Sequence, residues 1–304
     1  MNEDDCALRQ AATILILRDS SDGPQVFLVR RHSASAFMAD RYVYPGGTVD
    51  PDDCGSTTLA HVEGLSPEDA RRRLDEDASP QQALALFLAG IRETFEEAGI
   101  LLARRRHESK LIDLTGDPQV AKSFEIYRRQ LHEGEISLTD LAEREDLVFP
   151  LDRLGYFAHW ITPLAESRRY DTRFFVALAP ERQEPLHDAQ ETTDSTWIAP
   201  RDAIARNRQG AFQLAPPTLC TLQRLEEFAS ARAAFEWSLN HDPPTILPHL
   251  EQRNDTLWLL LPGDPDFPSD RPEYLDLEPV DQKPTRLVAR DIGLWEAPKR
   301  RDRE

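Results

Sequence analysis

Cysteine is scarce in this chain: three thiols, Cys6, Cys54 and Cys220, are odd in number and widely scattered. That pattern excludes a disulfide framework and a thiolate-rich metal centre, and it reads as free thiols in a reducing compartment. Long apolar runs are absent as well. None approaches the roughly 18 residues that a membrane crossing needs. The opening "MNEDDCALRQ" is acidic where an export or transit signal would be basic. No internal repeat is visible. A basic balance is also lacking: 36 Lys and Arg stand against 54 Asp and Glu, a net charge of −18. That field repels polyanions and argues against a nucleic-acid surface. It leaves room for a small anionic substrate, because clustered arginines and a bound metal can reverse the field inside a cleft. What remains is an ordinary globular composition, 40% apolar and 30% charged, in 304 residues. That length holds one large domain with elaborations. The expected setting is cytoplasmic, without membrane or nucleic-acid partners, and a homodimer is left open.

The chain then falls into segments. "AATILILR" (11–18) and "VFLVRR" (26–31) are short β-branched runs joined by "DSSDGPQ", which reads as a hairpin with a long turn. "RYVYPGGTVDPDD" is a short strand broken at Pro45, Gly46 and Gly47. Residues 54–80 are polar and include "SPEDARRRLDEDASP", read as a capped, charged, exposed helix between loops. From Gln81 to Ala98, Leu84, Phe87, Leu88, Ile91 and Phe95 recur at helical spacing, and Gly99 stops the helix. Residues 118–148 read as mainly helical, 168–180 and 193–200 as strands, 201–208 and 217–237 as helices. "DTLWLLLPGD" (255–264) reads as a strand closed by a turn, 265–284 as loop, and "TRLVARDIGLWE" as a last strand.

The helix ending at Gly99 poses the chemical question. Glu93, Glu96 and Glu97 lie three and four residues apart, so they share a face and repel one another. A solvated acidic face with Arg92 pairing Glu96 is the plain explanation. The upstream "PGG" favours another. Two glycines let the backbone come close to a ligand or turn a carbonyl inward. A carbonyl and three carboxylates are the hard oxygen donors that Mg²⁺ or Mn²⁺ prefers.

"PGGTVDPDD" followed by "RETFEEAGI" resembles the Nudix hydrolase signature, Gly-x5-Glu-x7-Arg-Glu-U-x-Glu-Glu-x-Gly-U with U apolar. Gly47, Arg92, Glu93, Glu96, Glu97, Gly99 and Ile100 match it. Asp53 stands where the first glutamate belongs, and Thr94 stands where an apolar residue belongs. An insertion of about thirty residues splits the box between Asp53 and Arg92. The split box is similar to the peroxisomal-type branch of Nudix coenzyme A diphosphatases. "VFLVRRHSASAFMADRYVYPGGTVD", "RRYDTRFF", "LAPP" (214–217), "FAS" (228–230) and "LLPGD" (260–264) resemble stretches of that branch in the same order. The chain ends in "RDRE", without a Ser-Lys-Leu type of address.

The resemblance implies an α/β fold: a Nudix α/β/α sandwich on a mixed sheet, with a helical insertion in the box and a C-terminal helical extension. The implied Nudix domain spans 8–264, with the insertion at 54–80, and 265–304 form an extension carrying a candidate returning strand. Water would cleave a small-molecule diphosphate with Mg²⁺ or Mn²⁺ as cofactor. By resemblance, Glu93, Glu96 and Glu97 are metal ligands together with the Gly46 carbonyl, and Arg92 orients a box glutamate. Glu191, before Trp197, resembles a loop acid that serves as a further ligand or as the base; a surface glutamate is the plain alternative. Glu93 and Glu191 both stand as candidates for the base. Arg30, Arg31, Arg168, Arg169 and Arg173 are candidates for the substrate's phosphates. Strand alternation puts Arg169 and Arg173 on one face and Arg168 on the other. Phe37, Met38 and Tyr42 flank the glycine turn, as pocket lining or as core.

Three functions compete. The first is a diphosphatase for coenzyme A or acyl-coenzyme A. The second is a Nudix hydrolase for NADH, ADP-ribose, a dinucleotide or a nucleotide sugar. The third is a Nudix-like sensor that binds without hydrolysis; retention of the three helix acids and the lack of a basic C-terminal helix speak against it.

Overall fold

The computed structural model describes residues 8–33, 38–74, 79–188, 190–291 and 294–298. Phe37 and Cys6 lie outside these. The apolar β-branched run at the start forms β1 (Leu8–Ser20) and pairs with β2 (Gly23–Arg31). The turn between them is tight, since Ser20 lies opposite Gly23. The long turn expected from "DSSDGPQ" is therefore absent: its outer residues are paired strand. Short strands β3 (Tyr42–Val43) and β4 (Gly46–Thr48) follow and pair with β2 and β1.

The insertion carries α1 (Ser56–Leu59), β5 (Val62–Glu63) and α2 (Pro67–Leu74). Helix α2 is charged as read, but it is not simply exposed. Ala70 and Leu74 are buried in the core with α3 (Pro80–Ala98). The apolar stripe of α3 is wholly buried against β1 and its neighbours. Ser79 and Gln82 form a reciprocal cap at its start, Pro80 fills the first turn, and Gly99 ends it with φ of 69°. At Gly90 helix and sheet approach so closely that an added Cβ would sit 3.1 Å from Ile14 Cγ1.

Next come β6 (Arg104–Arg105), α4 (Pro118–His132), α5 (Leu138–Glu145), β7 (Leu147–Pro150), β8 (Gly155–Ile161), β9 (Arg169–Leu178) and β10 (Thr192–Ile198). Strand β8 has no counterpart in the sequence reading. It lies inside the sheet between β9 and β11 (Thr245–Ile246), buried on both faces, so "GYFAHWI" shows no alternation to betray it. The eight-stranded mixed sheet runs β10-β2-β1-β9-β8-β11, with β3 and β4 attached to β2 and β1 beside this path and with β1 and β9 parallel. Helices α2 to α5 cover one face. The other face is covered by α6 (Pro200–Arg208), α7 (Pro216–Leu225) and α8 (Ala231–Asn240). This is the α/β/α sandwich expected. The single helix read at 217–237 is two, because Ser230 caps α8 and Asp19 Oδ1 accepts the Ala231 amide.

The C-terminal part departs from expectation. No α-helix lies beyond Asn240 among the described residues; the helical extension is replaced by strand. A second sheet has the order β12 (His249–Arg253), β13 (Thr256–Leu260), β14 (Arg286–Asp291) and β15 (Leu294–Glu296). The last strand read at 285–296 is thus a hairpin, and the sheet spans position 264. Alternating apolar residues on both of its faces explain the choice: Leu259 and Leu287 pack one way, Trp258 and Val288 the other.

Candidate active site

Arg92 organises the acidic end of α3. Its Nη1 donates to Glu93 Oε1 at 2.9 Å and to Glu96 Oε1 at 3.2 Å. Its Nε reaches Asp53 Oδ1 at 3.2 Å, and Nη2 reaches Asp53 Oδ2 at 3.1 Å and the Thr48 carbonyl at 2.8 Å. Asp53 is buried and is further fixed by the Asp50 amide at 2.8 Å. The shorter acid thus reaches the helix across the split in the box, and the insertion loops out between them.

The carboxylates of Asp53, Glu93 and Glu96 share one guanidinium, and Glu97 lies beside them without contact to it. Burial pushes all four pKa values up. Glu93 rises to about 7, with Arg92 opposing and Glu96 and Glu191 adding to the rise. Glu97 rises well above the carboxylate range, through burial and then Glu93, with Arg31 opposing. Its Oε2 accepts the Gly46 amide at 3.0 Å. At Gly47 an added Cβ would collide with the Glu93 carboxylate, and at Gly46 with Ala12 O and Thr13. Gly46 is therefore required by close approach of backbone, and Gly47 lies directly against the Glu93 carboxylate. The atom of Gly46 seen engaged is its amide, not the carbonyl expected as a ligand.

Such a set fits a hard divalent cation by donor type and by its unbalanced negative charge. Among the described residues no three acidic, histidine or cysteine side chains converge on one centre; the carboxylates are arranged about Arg92 instead.

Glu93, Glu96, Glu97, Gly46 and Glu191 all line one cavity of about 1060 Å³. Glu191 arrives on a short loop gathered around Asp188, whose Oδ1 accepts the Thr192 amide and hydroxyl at 2.9 and 2.7 Å. Asp188 Oδ2 accepts the Glu191 amide at 3.1 Å. Arg128 joins this loop to α3, donating to Glu96 O and Leu186 O, each at 2.9 Å. Neither Asp188 nor Arg128 drew notice in the sequence: Asp188 caps a local turn two to four residues ahead, and Arg128 acts on backbone 32 and 58 positions away, brought near only by folding.

The candidate arginines separate. Arg31 lines the cavity. Arg30 points away and pairs with Asp40 at 3.1 Å on the surface. Arg169 Nε donates to the Thr162 carbonyl at 3.1 Å. Arg173 is buried beside His159 and Asp171, in register with Ala12 on the face that carries α3. Arg173 is not among the residues that line the cavity, which meets this strand at Tyr170, Thr172 and Phe174. Of the arginines considered for the phosphates, Arg30, Arg169 and Arg173 are thus not on the cavity. Arg41, unnoticed in the sequence, lines the cavity in their place. The Nε atoms of Arg30, Arg31 and Arg41 are all buried without a hydrogen-bond partner among the described residues, and of these three Arg31 and Arg41 line the cavity. The pairing of Arg31 N with Arg41 O at 3.0 Å, a strand-edge contact, is what brings them together. Met38 also lines the cavity, whereas Tyr42 stacks on Phe212 at 3.6 Å. Cys220 is buried, its thiol pushed up to about 12 by burial, so it is no nucleophile.

Residues 8–225 match the family model described as the NUDT19 Nudix domain. The chain belongs to this Nudix family. It is 29% identical to the acyl-coenzyme A diphosphatase NUDT19 of Gallus gallus, over 92% of this chain and 85% of that protein. With the Homo sapiens protein of the same name it shares 24% identity, over 80% and 72%. The crystal structure of a Nudix hydrolase from Alicyclobacillus acidocaldarius superposes with a TM-score of 0.63 at 26% identity, covering 76% of this chain and 96% of that one. The protein is accordingly a Nudix hydrolase, with a fold shared by that structure. No helix among its described residues is long and apolar enough to cross a membrane.

Proposed function

We propose that the protein hydrolyses the diphosphate of coenzyme A or an acyl-coenzyme A, releasing 3′,5′-adenosine diphosphate and 4′-phosphopantetheine or its acyl form. One observation carries the reading: a single large cavity joins the glutamate cluster to two arginines with unsatisfied buried Nε atoms. The cavity matches a substrate with several phosphates, and the relatives named acyl-coenzyme A diphosphatase support the rest.

Glu93, Glu96 and Glu97, with the Gly46 carbonyl, would hold the divalent cation, Mg²⁺ or Mn²⁺. Such an ion supplies charge for the phosphate oxygens and lowers the pKa of water. Arg92 keeps Glu93 and Glu96 in place through its Nη1. Arg31 and Arg41 take the phosphates by charge-assisted hydrogen bonds. Glu93 and Glu191 are the two carboxylates at hand to accept the proton of the attacking water. Water adds to one phosphorus, the bridging P–O bond breaks, and the leaving phosphate departs with the electron pair.

The test is a substrate panel with Mg²⁺ and with Mn²⁺, read by product mass. A lost arginine–phosphate contact weakens binding by about ten- to a hundredfold. Coenzyme A or an acyl-coenzyme A should be preferred over dephospho-coenzyme A, NADH and ADP-ribose by that margin. Equal cleavage of NADH or ADP-ribose would leave a Nudix hydrolase of other specificity, and tight binding without turnover would leave a sensor.

A further inference from the structure

The cavity does not end with the residues matched by the family model. It continues to a second wall, formed by the C-terminal sheet β12–β15. Register sorts the side chains of that sheet. Leu250 lies opposite Leu259, Gln252 opposite Leu257, Leu259 opposite Leu287, and Ala289 opposite Trp295, so these share one face. The other face, with Trp258, Leu260 and Val288, is closed by Leu247, Phe267 and Tyr274.

The first face is closed only in part. Leu259 and Leu287 are buried in the core, whereas Leu250, Leu257 and Ala289 are half-buried. Those three, with Trp160 and Phe174 of the larger sheet, face the cavity. Aliphatic surface turned towards a cleft is unfavourable in water and favourable under an apolar ligand. The accessible part of this wall is aliphatic: Leu250, Leu257 and Ala289 are half-buried, whereas Leu259 and Trp295, which also line the cavity, are buried. Gln252, Asp255 and Arg290 stand at its polar edge. A flat nucleobase is better served by an aromatic face and paired polar groups. A flexible hydrocarbon arm suits this one.

We infer that the C-terminal sheet binds the pantetheine arm and acyl chain, setting the preference for acyl length; the inference rests on the coenzyme A reading above. The cavity then divides its work. Glutamates and arginines hold the phosphates, and residues beyond 225 hold the part of the substrate that does not react.

The experiment compares wild type with Leu257→Asn and Ala289→Phe on coenzyme A, its acetyl, octanoyl and dodecanoyl thioesters, and ADP-ribose, each at saturating Mg²⁺. In wild type, kcat/KM should rise with chain length. Leu257→Asn should lower kcat/KM for dodecanoyl-coenzyme A about tenfold, chiefly through KM, and leave ADP-ribose within about twofold. Ala289→Phe fills the cavity and should abolish the dependence on chain length. Leu250→Asn replaces it if thermal melting shows that the phenylalanine variant does not fold. A wild type that cleaves ADP-ribose as well as coenzyme A overturns the substrate reading. A wild type that prefers coenzyme A, with variants that keep its chain-length profile or lose all substrates equally, overturns the wall alone.

Discussion

At the residue scale the site is a charge imbalance held together by one guanidinium. Glu97 is the extreme member, buried, with its pKa well above the carboxylate range. Replacing it by Gln removes a charge the fold does not welcome and a donor that a cation needs. Glu97→Gln should therefore cut Mg²⁺-dependent turnover by about two orders of magnitude or more. Its melting temperature without metal should stay level or rise. A mutant with near wild-type turnover refutes the ligand role. Arg92 behaves oppositely. Arg92→Ala leaves Asp53, Glu93 and Glu96 buried without a cation, and breaking such a buried network costs about 3–5 kcal/mol. Denaturant midpoints should show that loss. The phosphate contacts can be told apart by the same logic. Arg31→Ala and Arg41→Ala should lower kcat/KM about ten- to a hundredfold in a folded enzyme. Arg30→Ala, which breaks only a surface pair, should leave kinetics within about twofold.

At the scale of elements, two segments do work their composition conceals. Helix α2 is rich in charge, yet Leu74 is 2% exposed and packs into the core under α3. Leu74→Ala should cost about 2–5 kcal/mol, the range for a cavity in a packed interior, whereas a solvated helix would lose almost nothing. Urea unfolding distinguishes the two. The Glu191 loop depends on Asp188. Burial raises the pKa of Asp188, but hydrogen bonds from Thr192, Glu191 and Gln190 outweigh it and hold the group below its ordinary value. The loop's stabilisation by this carboxylate is thus present above the usual aspartate range and lost as pH falls through the lowered value. Asp188→Ala should speed amide exchange at Glu191 and Thr192 near neutral pH and lower kcat more than it raises KM. Unchanged exchange would show that the loop is held by other contacts.

At the scale of the whole molecule, the C-terminal sheet and the sandwich share one interior. Leu287 and Trp295 are buried in the same core as Leu15, Phe174 and Leu222. A chain cut after residue 264 loses β14 and β15, leaves β13 paired with β12 alone and opens that core. It should lose cooperative thermal unfolding even though the Nudix box is intact. A truncated protein that melts like the full chain would show the extension to be an independent appendage.

The box acids, the glycine approach and the stripe of α3 were legible in order of residues, because helix period and box spacing are local properties that need no knowledge of distant chain. Tertiary structure alone decided the rest. It set which arginines reach the cavity: Arg31 lines it, whereas Arg173 is buried beside His159 and Asp171. It brought Asp53 to Arg92 across the insertion and Arg41 beside Arg31. It also placed residues 250–295 as a wall of the site. Burial, cross-strand register and contacts between distant segments exist only once the chain has closed upon itself, so no local pattern carries them.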